Sequence, residues 1–168
     1  ASNSSCHFLC SSCDKRPIKY GNGVIISQNC NTCKSEYHLL FETKDCYNSS
    51  ILNQGYYFFS NDSMYHQCGE QCLTCIEENN CTECNIEEGY YPIFNESSNN
   101  CFSYETIKEG YYLDINQSEW KKCYEKCETC EESGNSTNMN CLSCNNNLTD
   151  GNLVPPYYLN LTEDGNCI

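Results

Sequence analysis

A six-cysteine pattern that occurs three times is the feature that most constrains this chain. Each copy reads Cys-x3-Cys-x2-Cys, a variable gap, Cys-x2-Cys, a second variable gap and a final Cys. The copies comprise Cys6, Cys10, Cys13, Cys30, Cys33 and Cys46; Cys68, Cys72, Cys75, Cys81, Cys84 and Cys101; and Cys123, Cys127, Cys130, Cys141, Cys144 and Cys167. Both connections between copies hold 21 residues, and no cysteine is left over. A spacing that repeats in this way indicates a modular array built on disulfides.

Composition explains why such a chain needs disulfides. Leu, Ile, Val and Phe make up 29 of the 168 residues, and the formal net charge is -14. These values are typical of disordered chains, which bury too little apolar surface to offset the entropy of ordering. Nine bridges, each contributing about 2–4 kcal/mol by restricting the unfolded chain, can replace the missing core.

The pattern therefore predicts a small disulfide-rich fold, an elongated rod of three tandem modules with short β-hairpins and little regular helix. Apolar residues come in short clusters bounded by Gly, Asn and Cys, which favours brief strands and turns. The predicted divisions are module 1 at 1–46, a connection hairpin plus module 2 at 47–101, and a connection hairpin plus module 3 at 102–168.

The two connections align without gaps, which predicts the same small hairpin in each. Gly55-Tyr56-Tyr57 falls on Gly110-Tyr111-Tyr112, Asn61 on Asn116, Ser63 on Ser118 and Tyr65 on Trp120. A Gly-Tyr-Tyr followed by a polar turn and another aromatic residue favours a hairpin whose alternate aromatics cover a neighbouring disulfide.

Glycosylation signals agree with an oxidising, extracellular or cell-surface location, where disulfides persist. Asn-x-Ser/Thr occurs at Asn3, Asn48, Asn61, Asn80, Asn95, Asn116, Asn135, Asn147 and Asn160. We expect N-linked glycans at most of these sites and no other cofactor, with Asn80 the poorest site because Cys81 lies inside its sequon. The chain opens on Ala1-Ser2-Asn3 without a charged and apolar leader, so we expect a mature form after removal of a signal peptide.

Charge and hydropathy limit the partners that we expect. The acidic balance argues against nucleic acid and against anionic membrane surfaces, since only nine Lys and Arg residues are present. No apolar run approaches the roughly 20 residues that a membrane span needs, so a membrane tether would be a lipid or lie outside these residues. Head-to-tail self-association through 1–5 and 155–168 is a further prediction, because neither end has an atypical capping repeat. A longer array is the alternative.

Two long loops are the predicted binding regions. The gap between the third and fourth cysteines grows from 5 residues in the second copy to 16 in the first. That longest insert, at 14–29, carries an Asn-Gly hairpin signal flanked by aliphatic residues at 18–26. A second long stretch, 145–166, separates the last two cysteines. Loops of variable length on a fixed scaffold commonly carry binding, and the ligand would be an unknown protein or glycan.

The six-cysteine pattern itself, Cys-x3-Cys-x2-Cys, a gap, Cys-x2-Cys, then Gly-Tyr-Tyr and a closing Cys, resembles a known family. It is similar to the furin-like cysteine-rich repeat of growth-factor-receptor ectodomains. The richness of the copies in Asn, Ser and Tyr makes them most similar to tandem versions in protozoan surface proteins, including ciliate immobilisation-type antigens. The resemblance covers 6–167, although the second and third cysteines are two residues apart where many receptor modules have three. It implies fold rather than function, because such repeats serve receptors, proteases and coats alike.

The resemblance also implies a disulfide pairing, whereas spacing alone leaves 15 pairings open in each module. In the receptor repeats the first cysteine pairs with the third, the second with the fourth, and the fifth with the sixth. Carried over, this gives Cys6–Cys13, Cys10–Cys30 and Cys33–Cys46; Cys68–Cys75, Cys72–Cys81 and Cys84–Cys101; and Cys123–Cys130, Cys127–Cys141 and Cys144–Cys167.

We predict no catalytic and no metal site. Two Cys-x2-Cys pairs per copy could form a zinc ribbon, but Cys6, Cys46 and their counterparts would then be unused. Redox catalysis needs a low-pKa thiol at a helix start, which the sequence does not predict. His7, His38 and His66 lie in unlike contexts, and we interpret them as surface or lid residues. Glu77-Glu78 and Glu131-Glu132 lack the spacing of a calcium loop, so we interpret them as solvated turns.

The leading hypothesis is an extracellular, N-glycosylated structural glycoprotein and not an enzyme. It would be a surface coat antigen or the subunit of an extracellular filament. The alternative hypothesis is an adhesin or receptor ectodomain that binds a protein or glycan through loops 14–29 and 145–166.

Overall fold

The computed structural model describes residues 6–97, 99–145 and 160–168, and these contain short strands, one 3₁₀ turn and no α-helix. The 3₁₀ turn is Ile86–Glu88. The strands are β1 Cys10–Cys13, β2 Ile18–Lys19, β3 Ile25–Ser27, β4 Cys30–Cys33, β5 His38–Leu39, β6 Cys46–Tyr47, β7 Tyr56–Phe59, β8 Met64–Gln67, β9 Cys72–Glu77, β10 Asn80–Cys84, β11 Tyr91–Pro92, β12 Cys101–Phe102, β13 Tyr111–Asp114, β14 Glu119–Lys122, β15 Cys127–Cys130 and β16 Cys141–Cys144. All of these strands pair antiparallel, two to a sheet, which confirms the predicted fold class of short hairpins with little helix.

Every module is built around one irregular two-stranded sheet. Its first strand runs from the second to the third cysteine, and its second strand runs from the fourth to the fifth, as in β1–β4, β9–β10 and β15–β16. In the first module Cys10 lies opposite Cys33, and Cys13 lies opposite Cys30. The register shifts between these pairs, since one strand contributes more residues than its partner. The cysteines therefore face one another at both ends of each sheet.

The disulfides use this sheet as a frame, and their pairing is the one that the furin-like resemblance implies. The described bridges are Cys6–Cys13, Cys10–Cys30, Cys33–Cys46, Cys68–Cys75, Cys72–Cys81, Cys123–Cys130, Cys127–Cys141 and Cys144–Cys167. Cys84 and Cys101 are also disulfide-bonded, and no cysteine is free. The second-to-fourth bridge crosses the sheet diagonally, while the other two bridges tie the preceding and following segments to it.

The buried interior consists largely of sulfur. In the first module Cys10, Cys30 and Cys46 pack with Leu9 as one buried cluster, and in the third the buried cysteines pack with Met139. Cys46 and Cys167 are completely buried. Most of the large aliphatic side chains, by contrast, are at least partly exposed. The bridges therefore take the place of an aliphatic core, as composition predicts.

The chain divides into two compact units, Ala1–Asn85 and Ile86–Ile168. This division differs from the predicted boundaries after residues 46 and 101, because it falls between the fifth and sixth cysteines of module 2. Within the first unit, the early part of module 2 packs against the hairpin that follows module 1. Within the second unit, the late part of module 2 packs against the hairpin that precedes module 3.

The first joint hairpin, β7–β8, lies between module 1 and the early part of module 2, within the first unit. On one side Tyr65 forms a parallel bridge with Leu40, and the Phe41 N–H donates to the Tyr65 carbonyl at 2.8 Å. On the other side the Gly55 N–H donates to the Leu73 carbonyl at 2.9 Å. The hairpin thus extends the end of module 1 and the start of module 2 at the same time.

The second joint hairpin, β13–β14, repeats this arrangement in the second unit. Trp120 forms a parallel bridge with Ile93, and the Phe94 N–H donates to the Trp120 carbonyl at 2.8 Å. On the other side the Gly110 N–H donates to the Glu128 carbonyl at 2.7 Å. Its register is that of β7–β8 moved by 55 residues, which confirms that the aligned connections form equivalent hairpins.

Both joints centre on the aromatic residue that the alignment places at the same position. Trp120 is only 1% exposed, its Nε1–H donates to the Phe102 carbonyl at 2.8 Å, and Tyr104 packs edge-on against it. Tyr65 is 8% exposed and packs edge-on against Phe58 and His38. The aromatic side chains therefore fill the space between a hairpin and the closing turn of the preceding module.

The third module has a closing turn one residue shorter than that of the first, and different chemistry at the position where the first two modules bind a hairpin. The Thr162 N–H donates to the Asn166 carbonyl at 2.8 Å, as Leu40 donates to Asp45 at 2.9 Å. This equivalence places Thr162–Glu163 where the first two modules have Leu40–Phe41 and Ile93–Phe94. The apolar pair that meets each joint hairpin is therefore absent from module 3.

Candidate functional site

The insert of module 1 forms the predicted hairpin, and we call residues 18–27 the finger. Strands β2 and β3 pair antiparallel and pack chiefly against each other. At the tip the Tyr20 N–H donates to the Val24 carbonyl at 2.8 Å, and the Gly23 N–H donates to the Tyr20 carbonyl at 2.9 Å. Gly23 has φ +84°, a conformation that favours glycine. The Asn-Gly signal therefore produces the turn that the sequence predicts.

Apolar side chains on the finger are exposed. The exposed fractions are 52% for Ile18, 62% for Tyr20, 55% for Val24, 39% for Ile25 and 46% for Ile26. Ile18 pairs with Ser27 and Lys19 with Ile25, with Ile26 as the extra residue of a bulge. Since Ile18 and Lys19 are consecutive in β2, Ile18 and Ile25 lie on opposite faces of the hairpin. Both faces of the finger are thus apolar and open, and a contiguous exposed apolar surface usually marks an interaction site.

Gln28 fixes the base of the finger to the disulfide frame. Its side chain is buried, and its Oε1 accepts from the Cys46 N–H at 2.8 Å while its Nε2–H donates to the Cys46 carbonyl at 3.2 Å. Its own N–H donates to Asp45 Oδ1 at 2.6 Å. Beside it the Asn29 Nδ2–H donates to the Arg16 carbonyl at 2.7 Å. The finger therefore projects from a rigid base.

An open groove of about 650 Å³ runs along the base of the finger. Its lining includes the cationic side chains of Arg16 and Lys19, the apolar side chains of Phe8 and Ile25, and His7. Phe8 is 71% exposed. Burial lowers the pKa of His7 below its usual value, with Lys19 acting in the same direction and Asp45 opposing. His7 is therefore neutral at physiological pH, and the positive charge of the groove comes from Arg16 and Lys19.

The charge of module 1 differs from that of the rest of the chain. Residues 1–46 contain five basic and four acidic residues, a net charge of +1, whereas residues 47–168 contain four basic and 19 acidic residues, a net charge of -15. Lys15, Arg16 and Lys19 are exposed, and among the described residues none of them forms an ion pair. The finger, together with the adjacent Lys15 and Arg16, thus forms a cationic and apolar surface on an otherwise acidic protein.

The sequons lie mainly on exposed turns. Asn61 and Asn116 lie in the turns of the two joint hairpins, at equivalent positions, and both are exposed. Asn95, Asn135 and Asn160 are exposed as well, whereas Asn48 and Asn80 are half-buried. Asn3 and Asn147 lie outside the described residues. Residues 4–47, which include the finger, contain no sequon.

The second predicted binding loop, 145–166, is described only at its two ends. The Asn145 N–H donates to the Lys126 carbonyl at 2.8 Å, and Leu161 forms an isolated antiparallel β-bridge with Cys167. Residues 146–159 lie outside the described part of the chain. The same holds for 1–5 and for 155–159 of the 155–168 segment predicted at a head-to-tail junction.

The histidines and acidic pairs are not gathered into one site. His38 and His66 lie at the first joint, where His38 packs on Phe58 and His66 accepts or donates a hydrogen bond with Asp62 at 2.8 Å. The two Glu-Glu pairs are exposed, in keeping with solvated turns. Within residues 6–97, 99–145 and 160–168, no group of His, Cys, Asp and Glu is arranged to hold a metal ion. Since every cysteine is in a disulfide, a zinc ribbon would have no thiolate ligands.

Sequence reasoning missed a pair of hydroxyl groups that every module sheet carries. Ser12 and Thr32, Thr74 and Thr82, and Thr129 and Ser143 are hydrogen-bonded through their hydroxyls at 2.6, 2.6 and 2.7 Å. A Ser or Thr directly before the third cysteine of each copy is the signal that could have found them. Gln28 was also missed, since nothing in its neighbourhood distinguishes it from an exposed glutamine.

Comparison with protein-family models, with curated proteins and with solved structures finds no match for this chain. The resemblance to furin-like repeats and to protozoan surface antigens therefore stays a prediction. None of the helices in the described part of the chain is long and apolar enough to cross a membrane.

Proposed function

We propose that this chain is an extracellular, N-glycosylated structural glycoprotein, and that its role is that of a surface coat antigen. The observation that carries the proposal is the repeated joint, in which one hairpin extends the end of one module and the start of the next. Such a joint couples neighbouring modules without a linker. A surface coat has to keep its shape when proteases attack it, and direct coupling of neighbouring modules helps it to do so.

The exposed sequons support a coat. Asn61, Asn95, Asn116, Asn135 and Asn160 lie on exposed segments of both units, where glycans would cover large areas of polypeptide. The disulfides are compatible with an oxidising, extracellular location. A filament subunit is the other form of the same proposal. The coat is preferred because Thr162–Glu163 lacks the apolar pair that binds a joint hairpin in the first two modules.

Surface labelling of cells that produce the protein tests the coat proposal. An antibody raised against the folded chain should label intact, non-permeabilised cells densely and evenly. Protease should leave the labelled protein intact until the disulfides are reduced. Label that appears only after permeabilisation, or digestion at the same rate with and without reduction, would contradict the proposal.

Binding through residues 14–29, in the manner of an adhesin or receptor ectodomain, is the second candidate function. The observation that favours it is the finger, with its exposed apolar side chains on a fixed base and no sequon within residues 4–47. If the finger binds, deletion of 20–24 should abolish attachment of the protein to its target surface while leaving the disulfides of module 1 intact. Attachment at the level of the unmodified chain would exclude this role for the finger.

A further inference from the structure

We propose that the finger binds the surface of an anionic phospholipid membrane, with Tyr20, Val24 and Ile26 entering the interfacial region and Lys15, Arg16 and Lys19 contacting lipid phosphates. The proposal rests on the binding role of residues 14–29 and is independent of the coat role. It names a lipid surface, rather than a protein or a glycan, as the target of that loop.

The distribution of apolar side chains favours a lipid surface over a protein surface. Ile18 and Ile25 lie on opposite faces of the hairpin, and both are exposed, as are Tyr20, Val24 and Ile26. A protein partner covers one face of a two-stranded hairpin and leaves the other in water. The interfacial region of a membrane surrounds an inserted hairpin, so it removes apolar surface from water on both faces at once.

The tip of the finger is suited to a partly apolar environment. Its turn satisfies several backbone groups internally, through the Tyr20–Val24 and Gly23–Tyr20 hydrogen bonds. The Val24 N–H also donates to Asn22 Oδ1 at 3.2 Å. Unsatisfied backbone groups are the main cost of moving a loop out of water, and these bonds reduce that cost. Tyr20 adds an aromatic ring with a polar hydroxyl, a side chain that prefers the membrane interface.

Cationic side chains lie at the base of the finger, where they would contact lipid phosphates. Arg16 and Lys19 line the groove at the base of the finger, and the adjacent Lys15 is exposed. None of the three forms an ion pair among the described residues. Asp14 is the acidic residue next to this group, and Asp45 is engaged by the Gln28 N–H. Cationic residues next to an anionic leaflet are each worth about 1 kcal/mol of binding free energy.

The whole chain is acidic, but the charge of the region around the finger is not. Residues 1–46 carry a net charge of +1. At physiological ionic strength a charge farther than about 8 Å away is largely screened, so the local cations decide the interaction. Asn3 is the single sequon of module 1, and residues 4–47, which include the finger, contain none.

Co-sedimentation with vesicles tests the proposal with the full glycosylated chain. The probes are vesicles of phosphatidylcholine alone and vesicles of phosphatidylcholine with phosphatidylserine. The chain should sediment with the second kind and much less with the first, and added salt should release it. A Tyr20→Trp variant should show a blue-shifted emission on the anionic vesicles, against the constant background of the buried Trp120.

Matched variants separate the finger from the rest of the surface. Arg16→Glu with Lys19→Glu should weaken binding more than tenfold, since two favourable charges become unfavourable. Val24→Ser with Ile26→Ser should weaken it as well. Controls are Ile115→Ser, at a 79% exposed isoleucine in the turn of the second joint hairpin, and Lys108→Glu at an exposed lysine outside the finger. Both controls should bind like the unmodified chain.

Three results would overturn the proposal: no binding to either vesicle, as expected if the finger docks on a protein; equal binding to both vesicles; or binding that the finger variants do not change. Mobility without reduction shows that each variant keeps its disulfides. Surface labelling of cells does not depend on the outcome, so failure here would leave the coat proposal standing.

Discussion

Gln28 links two segments of module 1 that have little apolar surface in common. Its amide makes both hydrogen bonds that the buried Cys46 backbone offers, so one side chain holds the start of the sheet strand β4 to the last cysteine of the module. Buried backbone groups need such partners, because water cannot reach them. In a module whose interior is mainly sulfur, one satisfied amide of this kind has a large share in local stability.

Replacing Gln28 with Ala should therefore destabilise module 1 even with every disulfide intact. Two buried backbone groups would lose their partners, and each such loss costs about 1–3 kcal/mol. Hydrogen exchange at the Cys46 amide, measured by NMR, should show a fall of at least about 2 kcal/mol in the free energy of local opening. Gln54→Ala, at an exposed glutamine of the same unit, is the control and should leave that exchange rate unchanged.

Asp114 and Lys121 form an ion pair across the second joint hairpin, with Nζ and Oδ2 at 2.7 Å. The hydrogen bond from Lys121 holds the pKa of Asp114 below its usual range although burial opposes it, and the bond from Lys121 to Asp114 raises the pKa of Lys121. Because the pKa of Asp114 is lowered in the folded protein, its ionised form stabilises the hairpin at pH values above the pKa that the carboxyl has in the unfolded chain. This stabilisation is lost as the pH falls through the pKa of the folded state. Because the pKa of Lys121 is raised in the folded protein, its charged form stabilises the hairpin at pH values below the pKa that the lysine has in the unfolded chain. This stabilisation is lost as the pH rises through the pKa of the folded state.

The pair should consequently be intact throughout neutral pH and should fail at the acid end as Asp114 becomes protonated. In Lys121→Gln the pKa of Asp114 should rise towards its ordinary value, as followed by carboxyl carbon shifts in an NMR titration. Asp62, whose pKa is lowered although burial opposes the hydrogen bond from His66, is the internal control and should not move. An unchanged Asp114 pKa would show that the ion pair does not form in solution.

The joint hairpins show what a sequence repeat can and cannot predict at the scale of one element. Alignment of the two 21-residue connections predicts both hairpins, their register and the equivalence of Tyr65 and Trp120, because the hydrophobic pattern and the turn residues are local. The alignment does not predict that Tyr65 pairs with Leu40 or that Trp120 pairs with Ile93. Leu40 and Ile93 lie in segments of unequal length between the fifth and sixth cysteines, so only backbone pairing reveals that they correspond.

Trp120 offers a direct probe of the second joint, since it is the chain's one tryptophan and is buried. Trp120→Ala should remove about 3–5 kcal/mol of packing together with the bond to Phe102, and should release the hairpin from the closing turn of module 2. Trypsin should then cut after Lys121 or Lys122, as identified by mass spectrometry. Ile115→Ser, in the turn of the same hairpin, should leave these bonds uncut. Equal resistance of the Trp120→Ala variant would mean that the disulfides alone hold the joint.

The three modules and the cysteines that belong to each could be predicted from the sequence, whereas the division of the chain into two compact units could not. Spacing identifies which cysteines belong together, because a repeated count of residues survives changes in the loops. The division after Asn85 depends on packing of the joint hairpins, which the spacing does not encode. The exposed finger was predicted as a hairpin from Asn22-Gly23, but its cationic groove arises from residues that only the fold brings together.

Occupancy of the sequons should follow exposure over the whole chain. Asn61 and Asn116 occupy equivalent exposed turns and should carry glycans in nearly every molecule. Asn80 should remain free, since it lies in strand β10 and its Oδ1 is buried without a partner. Glycopeptide mapping by mass spectrometry measures each site. High occupancy at Asn80 would contradict the dependence on exposure, and occupancy of three sites or fewer in total would contradict a glycan-shielded coat.

Three disulfide frames, each closed within its own module, take the place of a hydrophobic core in this protein. Mapping of peptides from the unreduced protein by mass spectrometry shows whether these bridges form. We predict the first-to-third, second-to-fourth and fifth-to-sixth pairing in the described bridges of every module, with no free thiol. A bridge that joins cysteines of two modules, or a cysteine recovered as a free thiol in the folded protein, would contradict the account.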